Sequence, residues 1–345
     1  MQVANYYANN DIRLEEVPVP QIGPGEILVK VMASGICGSD VMEWYRVKSA
    51  PRVLGHEITG EIVEAGEGVQ KFKVGDRVFV SHHVPCNTCE FCLAGKETLC
   101  NTLHSTNFDP GGFAEFLRVP QINVDRGTFL LPPGMSYEDG TFIEPLGCVI
   151  RGQRTAGVKA GHSVLVLGSG ISGLLHIALA KALGAGLVGA TDVSPNRIEA
   201  AKKFGADLAL NATENIGEAF RKANNGRLAD VVIIATGAYS VFLQALDLCE
   251  SGGVVHVFAP SDPDKEMPIP INEFWKRQLT VNATYAAAPV DIGAAIQLIR
   301  HKRVPVHDMI THRLPLCEAQ EGFRLVARAE DSMKVVIFPC NQIRS

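Results

Sequence analysis

The sequence predicts an α/β protein of two domains, one β-rich and one a parallel sheet with helices on both faces. Three observations carry this. At 345 residues the chain has material for two cores, since a domain averages about 100 to 200 residues. Residues 1 to about 125 read as short β-runs separated by turn residues. From Ser163 onward, nearly continuous apolar runs alternate with helical patterns of ten or more residues, the texture of strands buried on both faces.

The first region contributes Glu26 to Met32, Thr59 to Glu64 and Asp76 to Val80 as strands. The second contributes strands at Ser163 to Leu167, Leu187 to Thr191, Asp230 to Ile234 and Val254 to Phe258. Helices are expected at Ile171 to Leu183, Pro195 to Phe204 and Ser240 to Leu248. After Tyr285 come a helix from Asp291 to His301, a second from Glu318 to Ala329, and a strand from Lys334 to Phe338. Arg151 reads as an exposed arginine near a domain boundary.

Composition narrows the function classes. With 46% hydrophobic and 20% charged residues the chain is an ordinary globular protein, and a net charge of -5 argues against a nucleic-acid partner. The apolar stretch from His162 to Ala190 is broken by His176, Lys181 and several glycines, so a strand and helix explain it better than a membrane span. The N-terminus lacks the pattern of a signal peptide, which leads to the expectation of a cytoplasmic protein. Nine cysteines in a reducing compartment, four of them within fifteen residues, point to metal before disulfides.

Gly168-Ser-Gly170-Ile-Ser-Gly173 follows a strand and opens a helix, the context that makes a GxGxxG pattern specific for a dinucleotide. Glycine is needed because the turn is tight and backbone must approach a pyrophosphate. Asp192, 19 residues after Gly173, can accept hydrogen bonds from ribose hydroxyls and favours NAD over NADP; Arg197 pulls the other way, toward a 2′-phosphate.

Cys86, Cys89, Cys92 and Cys100 have the spacing C-x2-C-x2-C-x7-C, suited to a closed tetrahedral zinc site. An iron-sulfur cluster is the rival; the seven-residue gap and Asn101 in place of a proline disfavour it. His82 and His83 stand nearby and are read as non-ligands, while Cys249, Cys317 and Cys340 read as isolated thiols. A second constellation combines Cys37, His56 and the carboxylates Glu57 and Glu144, a donor set for a zinc with one open position.

Gly35-Ile-Cys-Gly-Ser-Asp40, Gly55-His-Glu57, the cysteine lobe, Gly112-Phe-Ala-Glu115, Glu144-Pro-Leu146 and the glycine fingerprint occur in the order and spacing of the zinc-dependent medium-chain alcohol dehydrogenases. The chain most resembles the polyol (sorbitol, xylitol, galactitol-phosphate) and threonine dehydrogenase branches over essentially its whole length. That resemblance implies a GroES-like catalytic domain from residues 1–150 and 288–345, with the structural-zinc lobe at 86–100. A Rossmann domain at 151–287 would be inserted in it, the catalytic zinc lying in the cleft between the two.

The resemblance further implies two zinc ions. Cys37 and His56 would bind the catalytic one, with Glu57 and Glu144 binding directly or through water; the four lobe cysteines would bind the structural one. Gly168, Gly170, Ile171, Ser172, Gly173, Asp192, Arg197 and Thr236 would contact NAD, with Cys148 beside the nicotinamide. Ser39 would take the hydroxyl proton while hydride passes from a secondary alcohol to NAD, giving a ketone. A homodimer or homotetramer acting on a small polyol is the expected assembly. A threonine-type amino-alcohol dehydrogenase and a catalytically silent NADH-binding protein are the alternatives.

Two departures from the family pattern stand out. Met42 replaces the histidine that ends the proton relay in many members, and Ala283-Thr284-Tyr285 lacks the arginine that sorbitol-type enzymes use on the polyol. Trp44 is either a pocket residue or a core one.

Overall fold

The computed structural model describes residues 1–340 apart from Asp262 and Met267. The chain divides into two compact units, one of residues 1–147, 286–302 and 306–345, the other of residues 148–285 and 303–305.

The first unit is built on a seven-stranded sheet. Its strands lie in the order Ile310–Pro315, Lys334–Phe338, Ile27–Gly35, Glu57–Ala65, Arg77–Val80 and Thr128–Leu130, with Phe116–Val119 also paired to Ile27–Gly35. Alternate residues of these strands, among them Ile27, Val29, Val31, Ile58, Ile62, Val78 and Val80, point to one side and form a core with Leu117 and Val119. A smaller sheet of Asp11–Glu16, Gln2–Ala8 and Arg52–Val53 completes the unit's β-structure.

Register within this sheet places the chemistry. Glu57 pairs with Gly35 on the antiparallel neighbour, and Gly35 pairs on its other side with Val336. Cys37 therefore leaves the end of one strand just where His56 enters the start of the next.

The second unit is a six-stranded, wholly parallel sheet. Its spatial order is Leu208–Asn211, Leu187–Asp192, Ser163–Leu167, Ala229–Ile234, Cys249–Val257, Thr280–Ala283. Taking Ser163–Leu167 as first, this is the 3-2-1-4-5-6 order of dinucleotide-binding sheets. All five residues of Ser163–Leu167 are buried, as a central strand covered on both faces requires.

The segment around Glu144, to which the sequence reading assigns no element, is a helix, Ile143–Ala156. Pro145 lies in its first turn, where the missing N–H costs no helical bond. Arg151 on that helix is buried rather than exposed. Cys317 and Cys340 are not isolated thiols, because the Cys317 backbone N–H donates to Cys340 Sγ at 3.2 Å. Trp44 is 39% exposed and stacks near Tyr45, so it is no core residue. Among the described residues no helix is long and apolar enough to cross a membrane.

Candidate functional site

Two groups of potential metal donors occur in the first unit. The Sγ atoms of Cys86, Cys89, Cys92 and Cys100 all lie within 4.8 Å of one another. The chain makes thiolates stable here: the Thr88 hydroxyl, then the backbone N–H groups of Thr88 and Cys89, pull Cys86 down to about 5. Burial, with help from the neighbouring thiols, pushes Cys92 up to about 12. Four thiols so close cannot all ionise unless a divalent cation compensates them, and this donor set fits zinc with no open position.

In the second group, Cys37 Sγ, a His56 ring nitrogen and a Glu57 oxygen likewise fall within 4.8 Å of one another. Cys37 caps a short helix at Gly38–Val41, its sulfur accepting the Ser39 N–H at 3.4 Å. Asp40, fully buried, turns back to accept the Cys37 N–H at 3.1 Å and lies 3.4 Å from His56 Nδ1. Burial alone would raise the Asp40 carboxyl, but His56 and Arg46 hold it below its ordinary value. Burial likewise opposes charge on His56, yet Asp40 and Cys37 raise it well above the ordinary imidazole range. Such a site gathers positive charge, and with Nδ1 turned to Asp40 the His56 Nε2 is left for a metal.

Glu57 is held from the opposite strand. Its Oε2 is ion-paired with Lys334 Nζ, both side chains being 1% exposed. The two reach each other across Gly35, where any Cβ would collide with Glu57 Oε2 and sit 2.7 Å from Lys334 Cε. Glycine in Gly35-Ile-Cys-Gly-Ser-Asp40 is thus explained by close approach. Glu144, also buried, does not join the trio. His82, read as a non-ligand near the lobe, has its ring 4.9 Å from the His56 ring, and burial followed by the charges of His83 and His56 keeps it neutral.

In the second unit Gly168 adopts φ +96°, and a side chain on Gly173 would collide with the Gly168 carbonyl, so both glycines are required by the turn. Gly170 precedes the helix Ile171–Ala182, and its side is open, with only Arg197 Nη1 at 4.0 Å from a built Cβ. That open space beside a helix N-terminus suits a pyrophosphate. Thr236 packs against Gly168. Ile171 and Ser172 form the first turn of the helix, and Cys148 is part-buried at the start of the unit.

Asp192 does more than sequence reading anticipates. Its two oxygens accept N–H groups from Ser169 at 2.8 Å and Ser194 at 2.9 Å, so it braces the glycine turn from the neighbouring strand. Arg197 Nη1 lies 4.0 Å from it. A carboxylate has about four lone-pair sites, which leaves capacity for ribose hydroxyls.

Asp40, Lys334, His82 and Arg46 are the residues that sequence reasoning missed. Only Asp40 had a signal, its place in the cysteine motif.

The alcohol dehydrogenase GroES-like domain model matches residues 23–126, and the zinc-binding dehydrogenase model matches residues 172–301. Sorbitol dehydrogenase of Gallus gallus is 33% identical over 334 residues, covering 93% of this chain and 91% of that protein. Sorbitol dehydrogenase of Bacillus subtilis is 32% identical over 98% of this chain and 97% of its own length. Among solved structures, the alcohol dehydrogenase TADH from Thermus sp. ATN1 superposes with a TM-score of 0.88 at 31% identity, covering 98% of this chain and all of that one.

Proposed function

The chain belongs to the zinc-dependent medium-chain alcohol dehydrogenase family, on its polyol dehydrogenase side, and from that premise we propose that it oxidises a secondary polyol alcohol to a ketone with NAD. The observation that carries the reading is the Cys37, His56 and Glu57 trio, each member held in place by a partner outside the trio or by backbone.

In this reading Cys37, His56 and Glu57 hold the catalytic zinc, and Cys86, Cys89, Cys92 and Cys100 hold the structural one. When bound, zinc supplies a Lewis acid for the alcohol oxygen, and the nicotinamide supplies the hydride acceptor. Of the two carboxylates, Glu57 is the ligand, offering the oxygen that Lys334 does not take. Asp40 fixes the His56 ring and raises its basicity.

Ser39 handles the proton. Its hydroxyl has two lone pairs and one hydrogen; Arg46 Nη2 occupies one lone pair at 2.8 Å, leaving the other to accept the alcohol's proton and the O–H to pass one outward. This supports a relay that does not depend on the histidine replaced by Met42.

Gly168, Gly170, Ile171, Ser172, Gly173 and Thr236 cradle the dinucleotide, with Cys148 near the nicotinamide. Asp192 favours NAD, because a 2′-phosphate would meet its charge; Arg197 sets how strong that preference is. We place the enzyme in the cytoplasm as a homodimer or homotetramer, which sedimentation of the purified protein would check.

The experiment is a panel of polyols and simple secondary alcohols with NAD and with NADP, followed at the nicotinamide absorbance, with zinc quantified on the same sample. Zinc-dependent NADH formation from polyols is expected. Turnover without zinc, or turnover confined to primary alcohols, would reject the reading.

A further inference from the structure

The two metal groups account for five of the nine cysteines, and the sheet of the first unit brings two of the others together. Ile310–Pro315 is the edge strand of that sheet and runs parallel to Lys334–Phe338, the last register pair being Pro315 with Phe338. Cys317 and Cys340 each lie two residues past that pair, so both segments leave the sheet side by side with a thiol at the same level. The approach is close: the Cys317 N–H donates to Cys340 Sγ at 3.2 Å. Neighbouring strands run about 4.8 Å apart, inside the Cα separation of roughly 4.4 to 6.8 Å that a disulfide spans.

The two thiols differ in access. Cys317 is exposed on the short turn Leu316–Glu318 that leads into the helix Ala319–Arg328. Cys340 is part-buried and packs against the core of Tyr6, Phe113, Leu316, Phe323 and Ile337. Burial, then a hydrogen bond with the Cys317 side chain, pushes the Cys340 thiol above its ordinary value. Cys148 and Cys249 belong to the other unit, where burial pushes Cys249 up to about 12. An exposed thiol with a recessed one behind it is the arrangement of an attacking and a resolving cysteine.

We propose that Cys317 and Cys340 form a reversible disulfide site, closed by a low-molecular-weight disulfide such as oxidised glutathione, that fastens the edge strand Ile310–Pro315 to Lys334–Phe338 when the surroundings turn oxidising. The Cys317 thiolate attacks one sulfur of oxidised glutathione, forming a mixed disulfide and expelling one glutathione thiolate. The Cys340 thiolate then attacks Cys317 Sγ, and the second glutathione thiolate leaves. The two electrons given up by the protein pair reduce one glutathione disulfide, and the two thiol protons end on the two glutathiones released. In a reducing compartment the reverse exchange keeps both thiols free. The site is independent of the polyol reading and of both metal groups.

The test is a peptide map of the zinc-loaded full chain equilibrated with excess oxidised glutathione, its remaining thiols alkylated, with a second sample returned to reduced glutathione. A crosslinked peptide joining Cys317 to Cys340 is expected, with two thiols lost per chain, zinc per chain unchanged and both thiols recovered on reduction. Cys340→Ser removes the resolving thiol, so that chain should instead accumulate one glutathione on Cys317. The bridge would close a loop between cysteines 23 residues apart. At a fixed urea concentration within the unfolding transition, the folded-to-unfolded ratio of the oxidised chain should exceed that of the reduced chain by at least about tenfold. Cys317→Ser should show no such difference.

Absence of the crosslinked peptide overturns the site, as does a stable glutathione adduct on Cys317 in the unsubstituted chain or linkage of either cysteine to one of the lobe. A crosslinked chain that misses the tenfold gain in urea overturns the fastening.

Discussion

The four-cysteine lobe takes every donor from one stretch, Cys86 to Cys100, whereas the Cys37, His56 and Glu57 trio takes its donors from the facing ends of two antiparallel strands. In the lobe the supporting hydrogen bonds are equally local, from Thr88, Cys89 and the Cys86 N–H to Cys100 Sγ. In the trio the Ser39 and Asp40 contacts are local to the motif, but the hold on Glu57 comes from far along the chain: Lys334 lies 277 residues away. A closed shell of four thiolates needs nothing beyond its loop. An open shell of three mixed donors would keep a position free only if something else stopped the donors from rearranging, and the supports around this trio are a sheet, a buried aspartate and a buried lysine.

The sharpest way to break this contrast is Cys37→Ser. If the trio provides the transition-state charge stabilisation, worth several kcal/mol, NADH formation should fall by about three orders of magnitude. The lobe should keep its zinc, so metal content should drop from two ions per chain to one. Next is Lys334→Met, which leaves Glu57 buried and unpaired. Urea unfolding should register a loss of about 3–5 kcal/mol, the usual cost of breaking a buried pair; a change below about 1 kcal/mol would mean that Glu57 is not held by Lys334.

Asp40→Asn tests orientation rather than ligation. Zinc affinity of the trio or activity should fall about 10- to 100-fold while the lobe metal is untouched. The smallest effect is expected outside both clusters. Burial keeps His176 neutral, well below the ordinary imidazole value, so it disfavours proton uptake only in the folded chain. Stability from this group is complete above about pH 6.5 and is lost as pH falls below that, since the unfolded chain then binds a proton the folded one refuses. His176→Gln should flatten the fall in unfolding free energy between about pH 7.5 and about pH 5; an unchanged slope would remove His176 from the acid response.

Features whose meaning is local were legible in the sequence. The glycine fingerprint and the lobe are set by spacing within one loop or turn, and the strands and helices of the parallel sheet by their apolar period. What escaped was set by register. Nothing in the sequence near Lys334 says that it will sit one strand from Gly35 and two from Glu57, and nothing near His82 places it on the His56 ring. Arg46 lies only seven residues from Ser39, yet its reach back depends on the turn through Met42, which spacing does not define. The helix Ile143–Ala156 was hidden for the opposite reason, because Pro145 and two glycines obscure a local pattern that burial overrides. The burial of Arg151, read as exposed, goes with its place on that helix.

Graded chelation tests the two-centre account most directly, with zinc per chain and NADH formation measured on each sample. One zinc should leave first, together with the activity, while the second stays with the folded chain and survives until unfolding. Activity that persists after the first zinc has gone, or a fully active enzyme carrying a single zinc in the Cys86 to Cys100 lobe, would contradict the assignment of catalysis to Cys37, His56 and Glu57.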